Sequence, residues 1–263
     1  MKATIRVGIG GWTFEPWRKS FYPKNLPQSQ ELEYASRQLT SIEINGTYYR
    51  TQKAESFARW HGETPDGFVF ALKGPRFAIN RRILAEAEAS IAHFFASGVM
   101  NLKEKLGPIN WQFLPTKRYD AADFEAFLKL LPKSVEGREI RRAVEVRHDS
   151  FRNKEFVEML RSYEIGAIFT DKIEFPQIPD LTSSFVYARL QCASKEEESG
   201  YPAEALNVWA QRALTWSQGK IPNGLEAVPS PGNKPPRDIF IYLIDGFKPK
   251  APAAAMALIK RLG

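Results

Sequence analysis

The strongest constraint on the fold is a regular alternation of short apolar runs and longer helix-like segments along the 263-residue chain. Each run has the length and apolar content typical of a strand. The runs are "TIRVGIG" at 4–10, "TSIEIN" at 40–45, "GFVFALK" at 67–73, "PINWQF" at 108–113, "RAVEVR" at 142–147, "IGAIFTD" at 165–171, "SFVYARLQ" at 184–191 and "DIFIYLID" at 238–245. Helix-like segments lie at 53–60, 83–96, 121–131, 152–163, 203–217 and 251–262, with one more helix predicted after the long loop that follows the first run.

Eight strands that alternate with helices predict an α/β fold, a single (β/α)8 TIM barrel of eight parallel strands spanning residues 1–263. An open, doubly wound sheet is the alternative fold for the same alternation. After the sixth run the stretch "FPQIPD" is broken by prolines, which disfavours a helix there. The stretch "VPSPGNKPPRD" at 228–238 predicts a mobile loop.

Composition narrows the cellular setting and the class of partner. A formal net charge of +7 and a pI of about 9.4 favour anionic partners over cationic ones. The single Cys192 excludes an internal disulfide. The segment "MKATIRVGIGG" has no apolar run typical of a signal peptide, and no stretch reaches membrane length. We therefore expect a cytoplasmic protein with no membrane partner.

Polar residues recur on one face of each predicted strand, close to its carboxyl end. In TIM barrels the active site lies at this end, and alternate residues point into the barrel. The opposite face is almost entirely apolar, for example Ile42, Phe70 and Leu190. The polar positions are Gly8, Gly10 and Trp12 for strand one, then Ser41, Glu43, Asn45, Lys73, Asn110, Gln112, Glu145, Arg147, Asp171, Arg189, Gln191 and Asp245. They predict a functional site at the mouth of the barrel, the end at which the strands finish. The alternative interpretation is a structural network of salt bridges that closes the top of the barrel.

Six motifs occur in an order that resembles the YecE-like family: "GIGGWTFEPWRKSFYP", "SIEINGTYYR", "FVFALKGPR", "LGPINWQFLP", "AVEVRHDSF" and "GYPAEALNVWAQRAL". The resemblance implies a TIM barrel but no known reaction. The chain departs from the family pattern in three places. Gln191 and Cys192 replace a His-Gly pair, Asp245 and Gly246 replace an Asn pair, and "QFLPT" replaces "QLPP".

The candidate catalytic residues are the carboxylates Glu43, Glu145 and Asp171, because paired carboxylates can act as general acid and base. Three cations on the same strand face, Lys73, Arg147 and Arg189, would compensate them in a ring of matched charges. Matched charges lower the free-energy cost of burying each group. In this hypothesis carboxylates move protons while cations hold an anion.

The candidate ligand-binding residues combine cations, amides and aromatics, a mixture that suits a phosphate with a flat or sugar-like part. They are Trp12, Asn45, Tyr49, Lys73, Gln112, Arg147 and Arg189. We predict that an anionic small molecule or a nucleic-acid-derived ligand binds at the mouth. The alternatives are a non-catalytic nucleic-acid-binding protein and a glycosidase or sugar isomerase-like enzyme. Arg138, Arg141 and Arg142 enter strand five at its amino end and are not predicted site residues.

The sequence offers few metal ligands at the mouth. Of the three histidines, His61 and His93 fall on helices, and only His148 follows a strand end, so a zinc cluster is not expected. The carboxylates Glu43, Glu145, Asp171 and Asp245 leave a hard divalent cation open as a cofactor. Cys192 has no His partner in a recognisable motif, so we interpret it as a small buried hydrophobic residue rather than a nucleophile.

Overall fold

The structure, a computed structural model, describes residues 3–230 and 234–263. Eight parallel strands form a closed barrel, in which β1 pairs with β2 on one side and with β8 on the other. The strands are β1 Ile5–Gly10, β2 Ser41–Ile44, β3 Val69–Lys73, β4 Leu106–Gln112, β5 Arg142–Glu145, β6 Gly166–Thr170, β7 Phe185–Leu190 and β8 Asp238–Leu243. Each predicted run overlaps one strand. The TIM-barrel prediction is confirmed, and the open-sheet alternative is wrong.

Helices cover the outside of the barrel. They are α1 Glu31–Gln38, α2 Gly46–Tyr49, α3 Ala54–Glu63, α4 Arg76–Ile79, α5 Glu88–Ala96, α6 Ala121–Leu130, α7 Lys154–Tyr163, α8 Ala203–Ser217 and α9 Ala251–Leu262. As the prolines of "FPQIPD" predict, the described segment 171–184 between β6 and β7 contains no helix. Within the predicted mobile loop, residues 231–233 lie outside the described residues.

Side-chain caps fix the start of two of these helices. Asp120 accepts the backbone N–H of Asp123 at 3.0 Å and begins α6. Asn153 accepts the N–H of Phe156 at 2.8 Å and begins α7. Each side chain satisfies a donor that the first helical turn leaves without a partner.

The barrel strands are buried on both faces, as parallel strands between helices and a filled interior must be. Outward side chains such as Ile42, Trp111 and Phe169 join the core beneath the helices. The apolar interior is a separate cluster made of Val69, Ala71, Ala143, Ile168, Phe185, Tyr187, Phe240 and Tyr242. Along β7 the inward face runs from Phe185 through Tyr187 to Arg189, so the polar layer lies above the apolar one, at the carboxyl ends of the strands.

Gly8 lets β1 and β2 approach each other inside the barrel. A Cβ atom on Gly8 would lie 1.9 Å from the backbone oxygen of Ser41, a distance that no side chain can tolerate. On β2, Ser41 Oγ lies 2.6 Å from the carbonyl oxygen of Val69 and 2.7 Å from Tyr242 Oη. Glycine at this position is therefore explained by close packing.

No helix in residues 3–230 and 234–263 has the length and apolar content needed to span a bilayer.

Candidate functional site

Arg189, near the end of β7, is the centre of the polar layer. Its Nε and Nη2 atoms donate to the two carboxylate oxygens of Glu43 at 3.0 Å each. Its Nη1 atom donates to Gln112 Oε1 at 3.1 Å and also to a carboxylate oxygen of Glu145. All four side chains are buried. A guanidinium presents a planar fork of donors, so it can bind acceptors from three strands at once.

Glu145 is paired on both of its oxygens. Arg147 donates to Oε1 from Nε at 2.9 Å and from Nη2 at 2.7 Å, and Asn110 Nδ2 donates to Oε2 at 3.2 Å. Burial by itself raises the pKa of Glu145, but the charges of Arg189 and Arg147 outweigh burial and lower that pKa to about 2. Glu145 is therefore an anion at neutral pH and lacks a proton to donate.

Glu43 is a second fully buried counter-ion. Besides its two bonds from Arg189, it accepts a hydrogen bond from the hydroxyl of Tyr187, which lies below it in the barrel. The acid–base role predicted for Glu43 and Glu145 needs a carboxylate oxygen that faces a substrate. In the structure the arginines, Asn110 and Tyr187 occupy these oxygens.

Lys73 lies at the end of β3 beside these charges, with only 5% of its surface exposed. Its Nζ lies 4.2 Å from the ring centroid of Tyr48 and makes no hydrogen bond or ion pair within the described residues. Burial lowers the pKa of Lys73 to about 8, helped by Arg189 and opposed by Glu43 and Glu145. We call six of these residues the mouth network: Glu43, Lys73, Gln112, Glu145, Arg147 and Arg189.

A separate cleft at the same end of the barrel contains the other predicted ligand-binding residues. Trp12, Asn45 and Tyr49 line a space of ≈ 550 Å³ together with Asp245 and Lys248. An apolar cavity of ≈ 250 Å³ adjoins this cleft and shares Arg50 and Gln52 with it. The predicted site residues therefore fall into two groups, the mouth network and this rim cleft, rather than into one cavity.

Asp171 belongs to neither group, and the strand face assigned to it is wrong. On β6 the inward face carries Ile168 and then Thr170. Asp171 lies past the strand end, where it accepts the N–H of Gln191 at 2.6 Å and the hydroxyl of Tyr201 at 2.7 Å. It orders the chain after β7 instead of joining the ring of charges.

Cys192 is exposed, so its interpretation as a buried hydrophobic residue is wrong. Partial burial and the neighbouring Asp171 nevertheless raise the pKa of the Cys192 thiol to about 11. A thiol in this state has little thiolate at neutral pH and is a poor nucleophile.

The structure does not assemble a metal-ligand set in residues 3–230 and 234–263. No three His, Cys, Asp or Glu side chains come together there as ligands. His61 Nε2 lies 2.8 Å from Glu104, His93 Nε2 lies 3.3 Å from Thr51 Oγ1, and His148 Nδ1 lies 2.9 Å from Ser150 Oγ. The carboxylates proposed for a hard cation are paired with arginines or spread over different loops.

A family model described as "Protein of unknown function DUF72" matches residues 6–263. The chain belongs to the DUF72 family. The resemblance to the YecE-like family is thereby confirmed. No curated protein matches the sequence.

Solved structures agree with this assignment at the level of the fold. A DUF72 family protein from Thermotoga maritima has a TM-score of 0.76 at 22% identity, covering 98% of this chain and 99% of that one. A DUF72 family protein from Enterococcus faecalis has a TM-score of 0.74 at 18% identity, covering 98% and 95%. A D-psicose 3-epimerase in the presence of D-fructose has a TM-score of 0.52 at 12% identity, covering 95% and 89%.

Two departures of this DUF72 chain from the family pattern meet in space after β7 and β8. Gly246 has a φ of +77° and pairs with Ala193. A Cβ atom on Gly246 would lie 2.4 Å from the backbone oxygen of Ala193, so only glycine fits this position. Gln191 Nε2 donates to Thr170 Oγ1 at 2.9 Å and links β7 to β6. Asp245 lines the rim cleft.

Two residues of this DUF72 site were missed although the sequence contained a signal for them. Tyr187 lies two residues before Arg189, and therefore on the same face of its strand. Thr170 lies two residues after Ile168 on the inward face of β6. On β7 the charge of Arg189 identified the inward face but Tyr187 was not counted as polar, whereas on β6 both faces are rich in apolar residues and polarity alone did not identify the inward one.

The hydroxyl of Tyr187 provides a first test of the network in this DUF72 protein. Replacing Tyr187 with Phe is expected to lower the free energy of unfolding by about 1.5–3 kcal/mol, because a buried carboxylate loses a donor. The matched control is Tyr119→Phe, since the Tyr119 hydroxyl is buried and has no hydrogen-bond partner among residues 3–230 and 234–263. The control variant is expected to be as stable as the parent or more stable. Urea denaturation of both variants measures the difference, and equal losses would contradict it.

Proposed function

We propose that this protein binds an anionic ligand at the carboxyl-terminal mouth of the barrel, above Lys73 and Arg147. The observation that carries the proposal is the charge balance of the mouth network. Three cations, Lys73, Arg147 and Arg189, face only two carboxylates, Glu43 and Glu145. An excess positive charge held away from water is costly, and a bound anion would offset that cost.

Free donors support the same proposal. Within the described residues, Arg147 uses Nε and Nη2 for Glu145, while its Nη1 makes no hydrogen bond. Its side chain remains 18% exposed, and Phe175 packs 4.8 Å from the guanidinium. Lys73 Nζ likewise lacks an acceptor. A guanidinium edge next to an ammonium matches the oxygens of a phosphate or carboxylate.

The carboxylates support binding better than glycoside hydrolysis. A glycosidase needs one carboxylic acid that keeps its proton, and such an acid has a raised pKa. The pKa of Glu145 is instead lowered to about 2, and Arg189 binds both Glu43 and Glu145. The likeness to the D-psicose 3-epimerase concerns the fold. We therefore do not extend the proposal to sugar hydrolysis or isomerisation.

A second candidate, binding of single-stranded nucleic acid, is favoured by the exposed rim. Tyr49 and Phe77 are each 60% exposed, and the Arg76 guanidinium lies 5.2 Å from the Phe77 ring centroid. Lys248, which lines the rim cleft, lies 4.5 Å from the ring centroid of Phe14. In sequence-independent binding of single strands, bases stack on aromatic side chains and phosphates bind neighbouring cations.

Phosphate titration tests the proposed anion site. Inorganic phosphate is expected to bind the parent, and Arg147→Met is expected to weaken this binding roughly 10–100-fold, because one charge-assisted contact is lost. Lys73→Met should weaken it to a similar extent. The matched control is Arg138→Met, since Arg138 lies in the short hairpin before β5 at the other end of the barrel. Chemical-shift changes on titration give the dissociation constants.

The control variants separate the two candidate functions. If all four proteins bind phosphate equally, or none binds it, the anion site is not above Lys73 and Arg147. A fluorescent oligothymidylate then tests the rim. Weaker binding in Tyr49→Ala and Phe77→Ala, with Arg147→Met unaffected, would favour the nucleic-acid candidate and overturn the first proposal.

A further inference from the structure

Two lysines are buried in the described part of the chain, and they differ in what surrounds their amino groups. Lys105 is 3% exposed, and its Nζ donates to the carbonyl oxygens of His61 at 2.7 Å and Thr64 at 2.6 Å, and to Thr64 Oγ1 at 3.2 Å. All three of its N–H donors are satisfied. Lys73 is 5% exposed, and within the described residues its Nζ has no hydrogen-bond or ion-pair partner, only the Tyr48 ring at 4.2 Å from the ring centroid. Structural stabilisation accounts for Lys105 but leaves Lys73 unexplained.

The nearby carboxylates are directed to other donors, and within the described residues none of their oxygens forms an ion pair with Lys73 Nζ. Glu43 accepts from Arg189 and Tyr187, and Glu145 accepts from Arg189, Arg147 and Asn110. A buried ammonium without an acceptor is costly. The cost falls when the amine releases its proton, so the surroundings favour a neutral amine.

Asn110 places an unused acceptor beside this amine. Its backbone is paired in register with Lys73 across β3 and β4. Its Nδ2 donates to Glu145, which fixes the orientation of the amide, and its buried Oδ1 has no hydrogen-bond partner in the described part of the chain. Native proteins rarely leave such an atom unpaired unless it serves a ligand or a reaction. Lys73 itself is not fully enclosed, since 5% of its surface is exposed.

Burial and the charge of Arg189 lower the pKa of Lys73 to about 8, although Glu43 and Glu145 oppose this change. Most of the side chain is therefore still an ammonium at pH 7, but about a tenth of it is the free amine, far more than for an exposed lysine. An amine with a lowered pKa is a nucleophile toward carbonyl carbon, and lysines use this chemistry to form imines. The neighbouring Arg189 remains charged, because Glu145 and Glu43 raise its pKa.

We propose that Lys73 is a nucleophilic lysine that forms an imine with a small aldehyde or ketone carrying an anionic group. The inference rests on the proposed anion site, which would hold the charged end of the substrate. It adds the class of the substrate, a phosphorylated or carboxylated carbonyl compound, and assigns a covalent step to the mouth.

The step balances without an oxidant or reductant. The lone pair of Nζ forms a C–N bond to the carbonyl carbon, the electrons of the C=O π bond move to oxygen, and a proton passes from nitrogen to that oxygen to give a carbinolamine. The hydroxyl of the carbinolamine then leaves together with the remaining N–H proton as water, and a C=N bond forms. Amine and carbonyl are thus converted into imine and one water. Asn110 Oδ1 is placed to accept a hydrogen bond from the carbinolamine hydroxyl.

Reductive trapping tests the proposal on the full chain. The protein is mixed with glyceraldehyde 3-phosphate and sodium cyanoborohydride, which delivers hydride to an imine and leaves a stable secondary amine. Peptide mapping by mass spectrometry locates the adduct. Lys73 is expected to react roughly tenfold faster or more than the exposed Lys195, because its neutral fraction is larger. Lys73→Met should lose this adduct, whereas Lys195→Met should keep it.

The outcomes separate the imine from the anion site. Adducts on surface lysines with Lys73 unmodified in the parent would overturn the imine proposal whether or not phosphate binds. If Lys73 reacts and excess phosphate slows the reaction, both proposals stand. If Lys73 reacts equally fast with unphosphorylated glyceraldehyde and phosphate has no effect, the nucleophilic lysine stands and the anion site fails.

Discussion

Replacing Arg189 with Met is expected to lower the free energy of unfolding by about 3–5 kcal/mol, the cost of leaving buried charges uncompensated. Arg189 is 3% exposed and is the only residue of the mouth network that binds both Glu43 and Glu145. Burial by itself lowers the pKa of Arg189, but the two carboxylates outweigh it and raise that pKa. Urea denaturation at neutral pH measures the loss.

The pH dependence identifies the cause of this loss. Without Arg189 the buried Glu145 loses its largest compensating charge, so its pKa in the folded variant should lie above the value of about 2 in the folded parent. The variant therefore loses stability relative to the parent as pH rises through this higher pKa and regains it as pH falls. The deficit of Arg189→Met relative to the parent should therefore shrink on acidification.

Two further variants test whether uncompensated charge causes the loss of stability. Adding Glu43→Gln and Glu145→Gln to Arg189→Met should restore much of the stability, because the uncompensated charges are removed. Arg141→Met is the matched control, since Arg141 pairs with Asp238 at 2.9 Å where both side chains are partly exposed. The control should cost about 0–1 kcal/mol. A loss in Arg189→Met as small as in the control would refute the central role of Arg189.

Replacing Lys73 with Met is expected to change the free energy of unfolding in the opposite direction, so that the variant is more stable than the parent. At pH 7 the buried ammonium costs stability, and its removal should raise the free energy of unfolding by about 1–3 kcal/mol, after allowance for the lost contact with Tyr48. The pKa of Lys73 is lowered to about 8 in the folded protein, against 10.5 for the free side chain. The parent therefore gains stability from this group as pH rises from 8 toward 10.5, while the variant does not. The advantage of the variant should shrink between pH 7 and pH 10.

Lys105→Met is the matched control for this substitution. The residue type and the degree of burial are nearly the same, but the Lys105 ammonium donates to three oxygens. Its removal should cost stability, by about 1.5–3 kcal/mol, since two carbonyl groups and a hydroxyl lose a charged donor. If both lysine variants lose stability equally, Lys73 is a structural residue and the case for a reactive amine is lost.

If Lys73→Met is more stable than the parent and binds phosphate more weakly, the result would indicate that Lys73 has a functional role. Residues that destabilise the folded state and are nonetheless present are characteristic of functional sites. Since the variant is expected to fold better than the parent, a loss of binding or of imine formation could not be attributed to unfolding.

Much of the architecture was predictable because it depends on local pattern. The eight apolar runs and the segments 203–217 and 251–262 coincide with strands and helices of the structure. Period and composition determine such elements, and short connections between alternating strands and helices leave few arrangements other than a barrel. The inward face could also be predicted wherever a strand carries charge, as at Glu43, Lys73, Glu145 and Arg189.

The prediction failed where both faces of a strand are apolar or where the chain leaves the strand. Ile168 and Thr170 face inward on β6, so Asp171 was assigned to the wrong face. On β8, Tyr242 and Ile244 face inward, whereas Asp245 lies in the rim cleft. Hydrophobicity cannot distinguish the faces of a strand that is buried on both sides.

The sequence by itself determined the fold class, the positions of the strands and the presence of opposite charges at their carboxyl ends. Only the tertiary structure decided which charges pair. Glu145 and Arg147 are neighbours in the chain, yet Arg189, from another strand, joins Glu145 to Glu43. Barrel closure brings side chains from different strands within hydrogen-bonding distance of one another. The planar guanidinium of Arg189 then pairs with both carboxylates, and Lys73 does not. Among the residues that the structure describes, Lys73 is left without a hydrogen-bond partner for this geometric reason, which no spacing along the chain could indicate.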